Sequence, residues 1–251
     1  MTFDDDQLER YARHIVLREI GGRGQQNLTK ARIVCIGAGG LGSPALMYLA
    51  AAGIGTLGVV DDDLVSLSNL QRQIVHDTGS VGAPKTKSAQ KTLHRINPHV
   101  NVVAHNERLK PDNASEILTN YDLVLDGCDN FSTRALVNEI CVDLGIPLIS
   151  GAITQWEGQV TLFDPAKGTP CYACIFPQEP EDGLAPSCAE AGVMGALAGI
   201  IGSMMATEAI KYITGAGETL AGEMLLHDAL WGESRKVKLK RNANCPVCSR
   251  N

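Results

Sequence analysis

The stretch IGAGGLGSP, residues 36–44, follows the β-branched run ARIVC and opens an apolar segment, ALMYLAAAG. Gly37-Ala38-Gly39-Gly40-Leu41-Gly42 fits the pattern G-x-G-x-x-G between a strand and a helix. Glycines at those places permit a tight turn and let backbone N–H groups approach a phosphate at a helix N-terminus. Asp61 ends the next β-branched run, TLGVVD (56–61), where a carboxylate can take the two hydroxyls of a ribose. The context points to an adenine nucleotide and leaves open which one.

On either side, strand and helix patterns alternate. Helices are expected over 6–20, 42–53, 83–96, 112–120 and 132–145, and strands over 31–37, 56–61, 100–109 and 123–130. That alternation predicts a Rossmann-like, doubly wound parallel sheet. After 147 the pattern changes: PLISGAIT and GQVTLFD are neighbouring strands with no helix between them, so an antiparallel extension is expected. A loop over 170–190, a long helix over 190–214 and strands over 223–229 and 233–241 complete the chain.

The 251 residues carry a formal charge of −6 and no long basic run, which gives no electrostatic footprint for nucleic acid. The N-terminus MTFDDDQLERYARHIVL is acidic and has no apolar core behind a basic start, so it does not read as a secretory signal. AGVMGALAGIIGSMMATEAI (191–210) nearly reaches membrane-spanning length, but its four glycines and Glu208 favour a closely packed buried helix. A cytoplasmic protein, not bound to a membrane, is expected.

Beyond the glycine turn, Arg72 sits in NLQRQ, Lys85 starts a helix, and Asp129 ends the run LVLDGCD. Two cations and a carboxylate near the carboxyl ends of parallel strands suit a triphosphate with Mg²⁺, whereas NAD carries only a bridged pyrophosphate. Each has a plain alternative: Arg72 and Lys85 as solvated side chains, Asp129 as a helix cap. An NAD-dependent oxidoreductase accounts for Gly37–Gly42 and Asp61 but leaves these three residues without a joint purpose. A binding scaffold that has lost activity is the third reading.

Two pairs, Cys171-x-x-Cys174 and Cys245-x-x-Cys248, have the spacing of a tetrahedral Cys₄ zinc site with a structural role. Cys35, Cys128 and Cys141 lie in apolar runs and read as core. Cys188 stands alone in a polar segment.

The combination RYARHIVL, GAGGLGSP, DDDLVSLSNLQRQ, GAPKTKSA, INPHV, LVLDGCDN, CYACIFP, CAEAGVM and CPVC resembles the MoeB/ThiF family of bacterial adenylyltransferases, relatives of the ubiquitin-activating enzymes. The resemblance covers nearly the whole chain and leans to the MoeB branch around LISGAITQWEGQVTLF. It implies one adenylation domain over 1–251, with an N-terminal helical segment (1–30), a nucleotide-binding half (31–150) and a carrier-binding and zinc half (151–251).

The implied reaction is ATP-dependent adenylation of the Gly-Gly terminus of a small ubiquitin-like sulfur carrier. Molybdopterin synthesis is the first expectation; thiamine thiazole synthesis, or service to both, is the alternative. Asp61 matches the ribose-binding acid; Asn69, Arg72, Gln73 and Lys85 match nucleotide and phosphate contacts; Asp129 matches the Mg²⁺ ligand. Asp63 matches the second acid of a D-x-D pattern, and Asp62 falls at a variable place. Arg13 matches an arginine that reaches the neighbouring subunit's triphosphate in a homodimer, though its spacing equally fits a surface position. Cys188 aligns with a cysteine that ThiF-like members join to the carrier and MoeB-like members carry without clear need. Only three residues follow Cys248, so a separate sulfur donor is expected.

Overall fold

Alternation within β1 (Arg32–Ile36) sets the layers: Ile33 and Cys35 point to one side, Val34 and Ile36 to the other, and all four are buried. A strand buried on both faces needs helices on both. The computed structural model describes residues 3–178 and 191–249. Ile33 and Cys35 join Leu28 of α2 (Gly21–Lys30), Leu46 and Leu49 of α3 (Gly42–Ala52), and Leu93 of α4 (Lys85–Ile96). Leu197, Ile201 and Met205 of α8 (Gly195–Thr214) complete that core. Val34 and Ile36 pack with Leu118 of α5 (Ala114–Leu118), Val137 and Cys141 of α6 (Phe131–Leu144), and Tyr172 of α7 (Tyr172–Ile175).

The sheet also contains β2 (Thr56–Val60), β3 (Asn101–His105), β4 (Leu123–Asp126) and β5 (Leu148–Thr154), followed by β6 (Glu157–Phe163), β7 (Glu223–Asp228) and β8 (Glu233–Lys238). Its order is β3-β2-β1-β4-β5-β6-β7-β8. Pairing is parallel from β3 through β5 and antiparallel from β5 through β8, the mixed sheet expected from the sequence. The strand order reverses beside β1, and a crevice opens there at the carboxyl ends of the strands.

Several boundaries move. The expected helix over 6–20 is α1 (Asp5–Ile15), capped by Asp4, whose Oδ1 accepts the Gln7 N–H at 2.8 Å. After a turn, α2 forms from GGRGQQNLTK, which helix propensity disfavours. Tertiary contacts decide it: Leu28 and Gln25 are fully buried, and Gln25 Nε2 donates to the Ala52 carbonyl at 2.8 Å. The strand expected over 123–130 stops at Asp126, so Asp129 lies in the loop after β4. The long helix starts at Gly195, and a short helix, α7, interrupts the expected loop over 170–190. Helix α8 is apolar and long enough to cross a membrane by length and composition, yet it packs on β5, β6 and α3. Its buried Glu208 accepts the Leu220 N–H at 2.8 Å and pairs with Lys211.

Candidate active site

The glycine turn begins where β1 ends. A side chain at Gly42 would place its Cβ 1.9 Å from the Gly37 carbonyl oxygen, so the helix can start this close to the strand only with glycine. At Gly39 a Cβ would meet only Gln73 Nε2, at 3.7 Å, which leaves that backbone open to an approaching ligand. Gln73 is buried, and its Oε1 has no hydrogen-bond partner among the described residues. A buried polar atom left unmatched beside an open backbone is what a nucleotide site presents before it is filled.

Asp61 sits at the tip of β2 with both oxygens engaged. Oδ2 accepts the Ala38 N–H at 2.8 Å and Oδ1 accepts the Asp63 N–H at 2.9 Å. Burial raises its pKa, opposed by Lys85 and by these N–H groups; the net direction is upward. Lys85 opens α4 but is buried, and its Nζ pairs with Asp63 Oδ2 at 2.7 Å. It is no solvated surface lysine, and Asp63, whose role the sequence left unclear, holds it in place. Asp62 is exposed. Arg72 Nη1 reaches the Ser68 carbonyl at 3.3 Å, and Asn69 closes the turn before it.

Asp129 is exposed, and its carboxylate makes no hydrogen bond among the described residues. It does not cap α6. Asn130 does, its Oδ1 accepting the Thr133 N–H at 2.9 Å.

Together these groups border a cavity of about 980 Å³. Gly37, Gly39, Gly40, Asp61, Asp63, Arg72, Gln73, Lys85 and Asp129 line one side. The antiparallel extension forms the far wall, with Ala152, Gln159, Leu226 and Arg235 in register across β5 to β8. Among the expected site residues, Gly42, Asn69 and Arg13 are not part of the lining, and Arg13 is exposed on α1. Cys188 lies outside the described residues.

A model matching the ThiF family spans residues 11–247. The chain belongs to the ThiF family. Among its relatives, a sulfur carrier protein adenylyltransferase of Thermus thermophilus is 50% identical, aligned over 99% of this chain and 93% of its own length. A SAMP-activating enzyme E1 of Haloferax volcanii is 47% identical over 99% of this chain and 91% of its own. The crystal structure of E. coli MccB with ATP superposes with a TM-score of 0.80 at 23% identity, covering 90% of this chain and 69% of that one, which supports the fold alone.

Within this ThiF-family fold the four cysteines do converge. Sγ–Sγ distances are 3.9 Å for Cys171–Cys174, 3.6 Å for Cys171–Cys245 and 3.5 Å for Cys174–Cys248, and all four lie within 4.8 Å of one another. A tetrahedral Zn–S bond of about 2.3 Å implies sulfurs about 3.8 Å apart, so the cluster fits zinc. Burial pushes the Cys171 and Cys174 thiols up. Burial also raises Cys245, but the Cys248 and Val247 N–H groups together with hydrogen bonds from Cys171 and Cys174 bring that thiol down to about 7. Among the other thiols, Cys35 and Cys141 are buried core residues, while Cys128 is half-buried and borders the cavity.

Three residues at or behind the cavity wall escaped the sequence reading. Buried His76 receives the Ser88 hydroxyl at Nδ1 and donates from Nε2 to the Ala38 carbonyl, both at 2.9 Å, tying the glycine turn to α4. Burial lowers its pKa, consistent with a neutral ring. Asp126 and Arg134 form a buried ion pair at 3.0 Å below the Asp129 loop. No local pattern marks Asp126, and Arg134 finds its partners only on separate strands. Asn138 offered a signal, since 130, 134 and 138 are polar at helical spacing on one face of an apolar helix.

Proposed function

We propose that this chain uses ATP to adenylate the C-terminal Gly-Gly carboxylate of a small ubiquitin-like sulfur carrier, for molybdopterin synthesis. The observation that carries the reading is one cavity bounded on one side by a glycine turn, an acid and two cations, and on the other by an open sheet wall. The similarity to the Thermus sulfur carrier protein adenylyltransferase and the Haloferax SAMP-activating enzyme supports it. The MoeB-like wording of 148–163 favours the molybdopterin carrier over the thiazole one.

In this reading Asp61 holds the ribose, and Arg72 and Lys85 offset charge on the triphosphate. Asp129 would hold Mg²⁺, which would supply charge neutralisation for the triphosphate. The carrier's carboxylate oxygen attacks the α-phosphorus, a mixed anhydride forms, and the bond to the β-phosphate oxygen breaks. The attacking group is already ionised, so no general base is needed; alignment and charge complementarity do the work. Arg13, absent from its own chain's cavity lining, reaches that of a second copy, which makes the active unit a homodimer. Sulfur then comes from a separate donor.

The test is ATP–pyrophosphate exchange with purified protein and each Gly-Gly carrier in turn. Exchange with the molybdopterin carrier alone is expected. Exchange with the thiazole carrier alone would move the pathway, exchange with both would make a shared activator, and none with any would sink adenylation. Asp129→Ala is expected to fold yet fail to exchange. Cys188→Ser is expected to exchange normally, because adenylation uses no thiol. Arg13→Ala and Asp129→Ala variants, each inactive alone, are expected to regain activity when mixed; no recovery would count against the shared site.

A further inference from the structure

Arg134 lies one turn into α6 and is buried, yet the chemistry above does not use it. Its guanidinium joins three elements. Nη1 donates to Asp126 Oδ2 at the end of β4 and to Ser150 Oγ on β5, both at 3.0 Å. Nη2 donates to the Gly151 carbonyl at 2.8 Å and to the carbonyl of Cys128. Asp126 grips the same loop from the other side, Oδ1 accepting the Cys128 N–H at 3.1 Å and its thiol at 2.8 Å.

Asp129 directly follows Cys128 and precedes Asn130, which is fixed as the α6 cap. Its backbone is therefore pinned on both sides, while its own side chain is exposed at the cavity. A buried ion pair adds little net stability, because desolvation offsets the attraction. What a planar guanidinium fork does supply is fixed geometry between several acceptors at once.

We propose that Arg134 is the positioning residue for Asp129, setting through the Cys128 carbonyl where the Asp129 carboxylate points into the cavity. This rests on the reading of Asp129 as the holder of Mg²⁺. In this proposal Arg134, although it borders the cavity, has its guanidinium committed to protein acceptors and acts through the loop rather than on nucleotide or metal.

Arg134→Lys keeps a cation against Asp126 but cannot serve four acceptors in one plane. Two measurements read the result: Mn²⁺ binding to the protein–ATP complex by electron paramagnetic resonance, and the Mg²⁺ dependence of pyrophosphate exchange. Loss of a partner behind a metal ligand costs about 10–100-fold in affinity, so at least a tenfold weaker Mn²⁺ affinity and a matching rise in the Mg²⁺ needed are expected. The maximal rate at saturating Mg²⁺ should stay within about threefold of the parent, since a displaced ligand is compensated by mass action.

A lower melting temperature and rate with unchanged metal dependence would overturn the proposal, because that is what a merely structural arginine produces. Asn138→Ala, one turn further along α6, is the control: it should cost stability without moving metal dependence, and an equal shift there would also overturn it. If Arg134→Lys does not fold, Ser150→Ala carries the test, with a smaller shift in the same direction expected and no shift overturning it. Asp129→Asn separates the layers. If it moves metal dependence and the Arg134 and Ser150 variants do not, positioning fails while the magnesium reading survives. If Asp129→Asn moves nothing, both fall.

Discussion

The two ends of α6 hold charge in opposite ways. Around its N-terminus the buried charge is matched inside the protein, Arg134 with Asp126, while Asp129 stands exposed at the cavity. Beyond its middle, Asn138 donates to Cys171 Sγ at 3.8 Å and accepts the Tyr172 N–H at 2.8 Å, beside four thiols that lie within 4.8 Å of one another. The first region can fold without its ligand and keep its shape. The second gathers four thiols, two of which, Cys171 and Cys174, burial holds back from ionising, and a divalent cation is what would stabilise their thiolates.

The largest effect expected from this contrast is at the cysteines. Stripping zinc, or changing Cys245 to Ser, should release the segment around 239–249, because structural zinc contributes about 10–16 kcal/mol in small zinc-binding peptides. Hydrogen exchange should show protection lost there while β1 to β4 stay protected. An unchanged melting curve after complete chelation would erase the distinction between the two regions.

Next comes Lys85→Met. It leaves Asp63, whose side chain is 67% exposed, to water rather than to a buried void, so the fold should persist. Exchange should fall about 10²–10³-fold, the usual cost of removing one preorganised charge-stabilising group. A variant that exchanges at the parent rate would show that Lys85 only braces the loop.

A smaller effect sharpens the same point through pH. Asp61 ionises above the ordinary carboxylate value of 3.8, chiefly because it is buried. Between that value and its folded pKa the folded protein binds the extra proton, so this group costs stability as pH rises. If Asp61 holds the ribose as proposed, nucleotide affinity runs the other way and should fall on acidification in a window above 3.8. Asp61→Asn should bind ATP more weakly and lose that dependence. Calorimetric titration from pH 4 to 7 checks both.

What the sequence made legible follows the range of each interaction. The glycine turn, Asp61 and the two cysteine pairs are local spacings, and each stands out within a few residues. The mixed sheet was equally plain, since a helix either separates two strands or does not. Helix α2 was covered by the helical segment 1–30 but given no bounds of its own, because three of its ten residues are glycine and its stability comes from burying Leu28 and Gln25 against other elements. Arg134 was missed for a related reason. In STRALVNE it reads as an ordinary helix arginine, and Asp126, Ser150 and Gly151 become its partners only once β4 and β5 lie side by side. The Asp129 boundary moved because the apolar run that marked the strand ends at Leu125.

Helix α8 also bears on how the chain is made. Before packing, its 20 residues from Gly195 to Thr214 offer a bilayer or a neighbouring chain as apolar a segment as many that enter membranes. The elements that cover it, α2, α3, β5 and β6, all precede it in sequence. A polypeptide emerging from the ribosome N-terminus first has therefore already synthesised α8's shelter when α8 appears, and the interval in which it is naked is short.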